Sequence, residues 1–232
     1  MKTKDLRDRI AEMLRQRLMN YVRLRHPEMS PRRWSNAELR RVAPFVEGDV
    51  VNVSGWRDAD KEGNSYRSYF TKAKSYAITN YWGSREANDG AEGSIFLDLQ
   101  AELPNELHAR YDTVLCHTVL EHIYDVPKAV NNVCEMTKDL AILIVPFVQD
   151  EHYTNELYGD FWRFTPLSLK RLTGDAGLQL LYINSNDNPW YPVYLFAVAS
   201  RMPERWAGRF GGPYDWSKRI GRDIFIFDNC AW

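Results

Sequence analysis

Apolar residues in the first 25 positions recur at three- to four-residue spacing: Leu6, Ile10, Leu14, Leu18 and Tyr21/Val22. That spacing places them on one face of a helix, with arginines on the other faces. The pattern stops near His26-Pro27, because a residue before proline is pushed out of helical geometry. A second short helix is expected from an N-cap at Ser35 or Asn36, through Leu39 and Val42. Past residue 48 the texture changes. Short β-branched or apolar runs at 49–54, 75–79, 94–97, 111–116 and 140–145 read as strands, and 178–183 and 191–200 as two more. Segments 126–136 and 166–176 have helical period, the second with Thr165 as N-cap and Pro166 at its first position. Strands alternating with helices predict an α/β fold with a mostly parallel sheet flanked by helices. The last two strands are joined only by residues 184–189, too short for a helical crossover, so they are expected to pair antiparallel. The organisation expected is a helical arm at 1–47, an α/β domain at 48–200 and an aromatic extension at 201–232.

Composition narrows the class. The chain has 232 residues, 44% hydrophobic and 26% charged, the profile of a globular protein with a substantial core. No apolar run approaches the roughly 18 residues of a membrane span. The charged start has no apolar stretch of a secretory signal, so a cytoplasmic protein is expected. Three scattered cysteines, Cys116, Cys134 and Cys230, make no disulfide framework. The net charge of −1 conceals an asymmetry. Residues 1–45 hold 12 Lys/Arg against 5 Asp/Glu, and the remainder 18 against 26. The domain is therefore not a general nucleic-acid binder. The basic arm is open to packing on its own domain, a homodimer contact, or peripheral contact with an anionic surface.

In open α/β sheets ligands bind beyond the carboxyl ends of the strands. The residues there are Ser54-Gly55-Trp56, Asn80, Asp98, Cys116-His117 and Pro146-Phe147. The run YDTVLCHTVLEHIYDVPKAVNNVCEMTKDLAILIVPF and its continuation through DFWRFTPLSLKRL resemble class I S-adenosylmethionine-dependent methyltransferases of the type 11 kind. The second stretch resembles a subgroup associated with polysaccharide assembly. The resemblance spans roughly residues 48–200. It implies a Rossmann-like sheet with an antiparallel last strand, S-adenosylmethionine as cofactor, and a small-molecule or glycan methyl acceptor. By position it implies cofactor contacts from Val53, Ser54, Gly55, Asn80, Asp98, Leu99 and His117. Asn80 stands where the family carries the acid for the ribose hydroxyls, and Asp98 where a carboxylate accepts from the adenine amino group. The glycine-rich loop departs from the family pattern: Asn52 replaces an acid, Ser54 a glycine, and Trp56 a later glycine.

An oxygen acceptor must lose a proton, which suits a histidine base near neutral pH. His152 is the candidate, with Asp160 to orient it or hold a sugar hydroxyl, and Arg163 to clamp an anionic group. Asp160 and Arg163 are equally readable as a structural ion pair. Glu121 reads as a charge partner at a helix start, or else His122 faces the cleft. Tyr66 or Arg67 is a further candidate for the cofactor's carboxylate. Cys116, His117 and His122 have no metal-binding spacing. Two functions remain: a methyltransferase acting on a glycan, sugar nucleotide or related hydroxyl, and a catalytically silent binding or scaffold protein of the same fold.

Overall fold

A computed structural model of the chain describes residues 2–27, 30–81, 92–151, 159–186, 193–211 and 214–217. Two helices lead, α1 (Lys2–Arg25) and α2 (Pro31–Val42). The strands are β1 (Glu47–Val53), β2 (Lys72–Asn80), β3 (Ile95–Phe96), β4 (Tyr111–His117), β5 (Thr137–Val148), β6 (Gln179–Ser185) and β7 (Val193–Ser200). Helix α3 (Val126–Glu135) joins β4 to β5, and α4 (Pro166–Asp175) joins β5 to β6. The sheet order is β3-β2-β1-β4-β5-β7-β6. The pairs from β3 to β5 are parallel, and β7 runs antiparallel to both β5 and β6. This is the Rossmann-like sheet expected, with the short β6–β7 connection giving its antiparallel hairpin.

The second helix begins earlier than the sequence pattern predicts. Ser30 is the N-cap, its Oγ accepting from the Arg33 amide, and Pro31 holds the first turn. Ser35 and Asn36 are buried inside the helix. Ser35 Oγ donates to the Arg32 carbonyl at 3.0 Å, and Asn36 Nδ2 donates to the Asp60 carbonyl at 2.9 Å. Both read as caps because their side chains seek backbone partners, but here Ser35 finds one a turn back in its own helix and Asn36 finds one across a tertiary contact.

The crossover from β1 to β2 contains one 3-10 turn, Tyr66–Tyr69, and no α-helix. Two buried carboxylates hold it. Asp58 accepts from Asn52 Nδ2 at 2.8 Å, the Tyr76 hydroxyl at 2.7 Å and the Arg67 amide at 2.9 Å. Asp60 accepts from the Glu62 and Asn64 amides and from the Tyr69 hydroxyl. Burial raises the Asp60 pKa, but these donors outweigh it and hold the group at about 2. With no crossover helix, α2 fills that face of the sheet. Leu39, Val42 and Ala43 pack with Val50, Leu115, Ile142 and Phe196. Residues 31–46 are thus a layer of the α/β core. The opposite face packs under α3 and α4.

The first part of the C-terminal extension joins the α2 side. Trp206 is buried, stacks on Phe210 at 5.3 Å between centroids, and donates Nε1 to Asp139 Oδ2 at 2.9 Å. Lys170 lies 4.7 Å from the Trp216 ring centre. Residues 218–232, with Cys230 and Trp232, lie outside the described residues. Cys116 and Cys134 are buried free thiols.

Candidate active site

A cleft of about 350 Å³ opens at the carboxyl ends of β1, β2, β3 and β4. Its volume lies within the range of small-molecule sites. Ser54 and Trp56 enter from the β1 turn, Asn80 from the end of β2, Asp98 and Leu99 from beyond β3, and Thr118 and His122 from beyond β4. Four positions expected to contact cofactor therefore line one cavity: Ser54, Asn80, Asp98 and Leu99. Parallel strands bring them together because each turns off the sheet at the same end.

The Ser54–Trp56 turn is tied to β2. Ser54 N donates to Thr79 Oγ1 at 3.1 Å, Gly55 N to the Thr79 carbonyl at 3.1 Å, and Trp56 N to Asn80 Oδ1 at 2.7 Å. These three amides already have protein partners. Ser54 and Trp56 both have φ of 51°, a left-handed conformation unusual for residues with a Cβ. At Gly55, an added Cβ would lie 2.5 Å from Asn52 Nδ2, so only glycine fits. Trp56 lines the cleft without filling it.

Asn80 spends polar atoms on this turn. Its Oδ1 accepts from Trp56 N, and its Nδ2 donates to the Trp56 carbonyl at 3.2 Å. One lone pair and one N–H remain for a ligand. Asp98 is better placed for recognition. Its Oδ1 accepts from the Gln100 amide at 2.8 Å, and among the described residues Oδ2 has no hydrogen-bond partner.

Three expected cofactor residues do not line the cleft: Gly55, inside the turn between Ser54 and Trp56, and Val53 and His117. Val53 is fully buried and belongs to the core on the α3/α4 side. Strand alternation explains this, since its side chain points into the sheet's packed face while Ser54 leaves the strand. His117 is buried under α2 and does not line the cleft. Arg32 Nη1 donates to its Nδ1, and its Nε2 pairs with Ser35 Oγ at 3.0 Å. Burial, then the neighbouring Arg32 charge, holds its pKa well below the usual histidine range. His117 is a neutral link between β4 and α2. Tyr66 is buried there too, and its hydroxyl accepts from Arg32 at 3.1 Å.

Asp160 and Arg163 form a bidentate pair, at 2.6 Å for Oδ1–Nη1 and 2.7 Å for Oδ2–Nη2. Arg163 also donates from Nε to the Gln149 carbonyl, from Nη1 to the Trp162 carbonyl and from Nη2 to the Asp150 carbonyl. All five guanidinium donors are consumed by the protein. The clamp expected for an anionic acceptor is instead a staple joining the end of β5 to the loop before α4. His152 lies outside the described residues.

The Leu-Glu-His segment is a 3-10 turn, Leu120–His122, and α3 starts later with Asp125 as N-cap. Glu121 is therefore no helix-start charge. It is 1% exposed, and among the described residues Oε2 has no hydrogen-bond partner. Burial pushes its pKa up to about 8. Its carbonyl accepts from the Phe161 and Trp162 amides at 2.8 and 3.3 Å, tying this turn to the Asp160 loop. His122 does face the cleft. Its Nδ1 donates to the Gly159 carbonyl at 2.7 Å, a tautomer in which Nε2 is the basic nitrogen. The sequence signal was the histidine next to Glu121 in the Leu-Glu-His segment. Among the described residues no cluster of metal-ligating side chains occurs, and no helix is long and apolar enough to cross a membrane.

No family model and no curated protein matches the chain. Solved structures do. A Burkholderia thailandensis 1,6-didemethyltoxoflavin-N1-methyltransferase, solved with its substrate and S-adenosylhomocysteine, superposes with a TM-score of 0.51 at 17% identity. The match covers 83% of this chain and 89% of that one. A candidate methyltransferase of Bacillus halodurans matches at TM-score 0.51 and 9% identity, over 71% of this chain and 97% of its own. A candidate methyltransferase of Haloferax volcanii, solved with a methyltransferase activator, matches at TM-score 0.51 and 12% identity. That match covers 79% of this chain and 93% of the other. The fold is that of the S-adenosylmethionine-dependent methyltransferases.

Proposed function

We propose that the protein is an S-adenosylmethionine-dependent methyltransferase acting on a hydroxyl of a glycan, sugar nucleotide or related small molecule. The observation that carries the reading is the cleft itself. On this fold, Asp98 offers an unengaged carboxylate oxygen where the resemblance places cofactor recognition. The donor set fits a nucleoside. Asp98 accepts from an amino group or a diol, the remaining Asn80 valences meet a hydroxyl, and Leu97 and Leu99 give apolar walls. When bound, S-adenosylmethionine supplies an electrophilic methyl group.

The chain's own part is alignment and proton removal. Methyl transfer from a sulfonium is an in-line displacement, so rate comes largely from positioning. The hydroxyl proton must go to a base. His122 is the candidate: it lines the cleft, its Nδ1 donates to the Gly159 carbonyl, and its Nε2 lies 3.8 Å from Glu121 Oε1. His152 is retained as a second candidate base on the sequence argument. The acceptor class rests on the DFWRFTP resemblance.

Isothermal titration with S-adenosylhomocysteine tests the cofactor reading. Saturable one-site binding is expected. Absence of heat at millimolar ligand would leave the silent scaffold as the function. Asp98→Ala is expected to weaken that binding by roughly 10- to 100-fold, the cost of about one charge-assisted hydrogen bond. An unchanged affinity in a folded Asp98→Ala variant would move the adenosine elsewhere.

A further inference from the structure

Among the described residues, helix α1 presents an apolar stripe that no other element covers. Leu6, Leu14, Tyr21 and Leu24 are 60%, 57%, 58% and 82% exposed, and Ile10 and Met13 are 45% and 46% exposed. At 3.6 residues per turn these six share one face over more than five turns. An exposed apolar face of this length marks an interaction surface.

Charge decides what covers it. Helix α1 carries eight Lys/Arg against three Asp/Glu. Arg17 is exposed and lies within the stripe, one turn from Met13 and from Tyr21, and two turns from Ile10 and from Leu24. At the stripe's edge the Arg25 guanidinium lies 5.6 Å from the Tyr21 ring centre. A second copy of α1 laid against this face would bury Arg17 opposite another cationic, acid-free stripe, which is costly. At a bilayer interface the arginine stem lies with the apolar residues, and the head reaches lipid phosphates.

We propose that α1 is an in-plane anchor that seats the protein on an anionic lipid surface. The apolar stripe enters the boundary between headgroups and acyl chains, and the surrounding arginines meet the headgroups. This inference is independent of the methyltransferase reading.

Co-sedimentation of the full chain tests it, using phosphatidylcholine vesicles and vesicles of about 7:3 phosphatidylcholine to phosphatidylserine. Partition onto the mixed vesicles is expected to be at least about 10-fold the stronger, and to fall as salt shortens the Debye length. The double variant Ile10→Glu/Leu14→Glu should lose this partition while melting at the wild-type temperature, because both positions are exposed. Arg17→Gln/Arg25→Gln should weaken it about 25-fold, from roughly a factor of five per charge. Equal partition onto both vesicle types, none onto either, or a glutamate variant that still binds overturns the proposal. A glutamate variant that converts a dimer to a monomer in sedimentation velocity, with no vesicle binding by either form, assigns the stripe to a second copy.

Discussion

Arg163→Ala is expected to lower folding stability by about 3–5 kcal/mol, the usual cost of removing one partner from a buried ion pair. The Asp160 side chain is 0% exposed, so it would lose its bidentate partner without gaining water. Three carbonyls, those of Gln149, Asp150 and Trp162, would lose a donor at the same time. For a chain of this size that corresponds to a melting point lower by roughly 10–15 °C. Thermal unfolding at pH 7 checks it. A shift under about 3 °C would mean the pair is not the staple that fixes this loop. Arg163→Lys should recover little, because an ammonium cannot reproduce the planar fork that reaches both carboxylate oxygens and the carbonyls. If Arg163 instead served only an acceptor, the stability of both variants would match the wild type.

Glu121→Gln is expected to stabilise the protein, and the gain should depend on pH. The Glu121 carboxyl has its pKa raised from 4.5 to about 8 by burial. Below about 4.5 both folded and unfolded chains hold the proton, and the group costs nothing. Between 4.5 and 8 the folded state keeps a proton that the unfolded chain has released, so stability falls as pH rises. Above 8 the full cost is present. At pH 7 the difference is about 3 kcal/mol, from roughly 1.4 kcal/mol per pKa unit. Glutamine keeps the shape and cannot ionise. Urea unfolding at pH 5, 7 and 8.5 should show the variant's advantage growing with pH. Parallel pH curves for the two proteins would show that Glu121 titrates normally. The same turn carries His122 at the cleft, with its Nε2 3.8 Å from Glu121 Oε1.

The strands were legible because β-branched runs bounded by polar turns have few other uses. The Pro166 helix was legible because Thr165 and Pro166 are local signals, and Thr165 does accept from the Ser168 amide. The antiparallel end of the sheet followed from a connection too short for any crossover. Strand ends identified Ser54, Asn80, Asp98 and Leu99, because a parallel sheet delivers all its carboxyl ends to one edge. Misplaced residues share a different property. His117 and Val53 adjoin cleft residues in sequence, but their side chains are directed by the pleat and by what packs on each face. Ser35 and Asn36 carry cap chemistry that is spent on His117 and on the β1–β2 loop. Arg163 has the charge of a clamp, and only its five donor distances reveal that none is spare.

The sequence by itself determined the order of elements, the mixed sheet and the edge at which the cleft opens. These follow from periodicity, turn chemistry and connection length, all properties of short stretches of chain. Only the tertiary structure decided that α2 is a layer of the core, since that depends on the missing helix between β1 and β2. It alone decided that Glu121 is buried with an unpaired oxygen while His122 faces the cleft, because adjacent residues in a 3-10 turn point in different directions. The basic arm noticed in the composition was divided in the same way. Residues 31–42 fold into the core through Leu39 and Val42, whereas Leu6, Leu14, Tyr21 and Leu24 of α1 are exposed, a division that depends on what each helix packs against and not on its own periodicity.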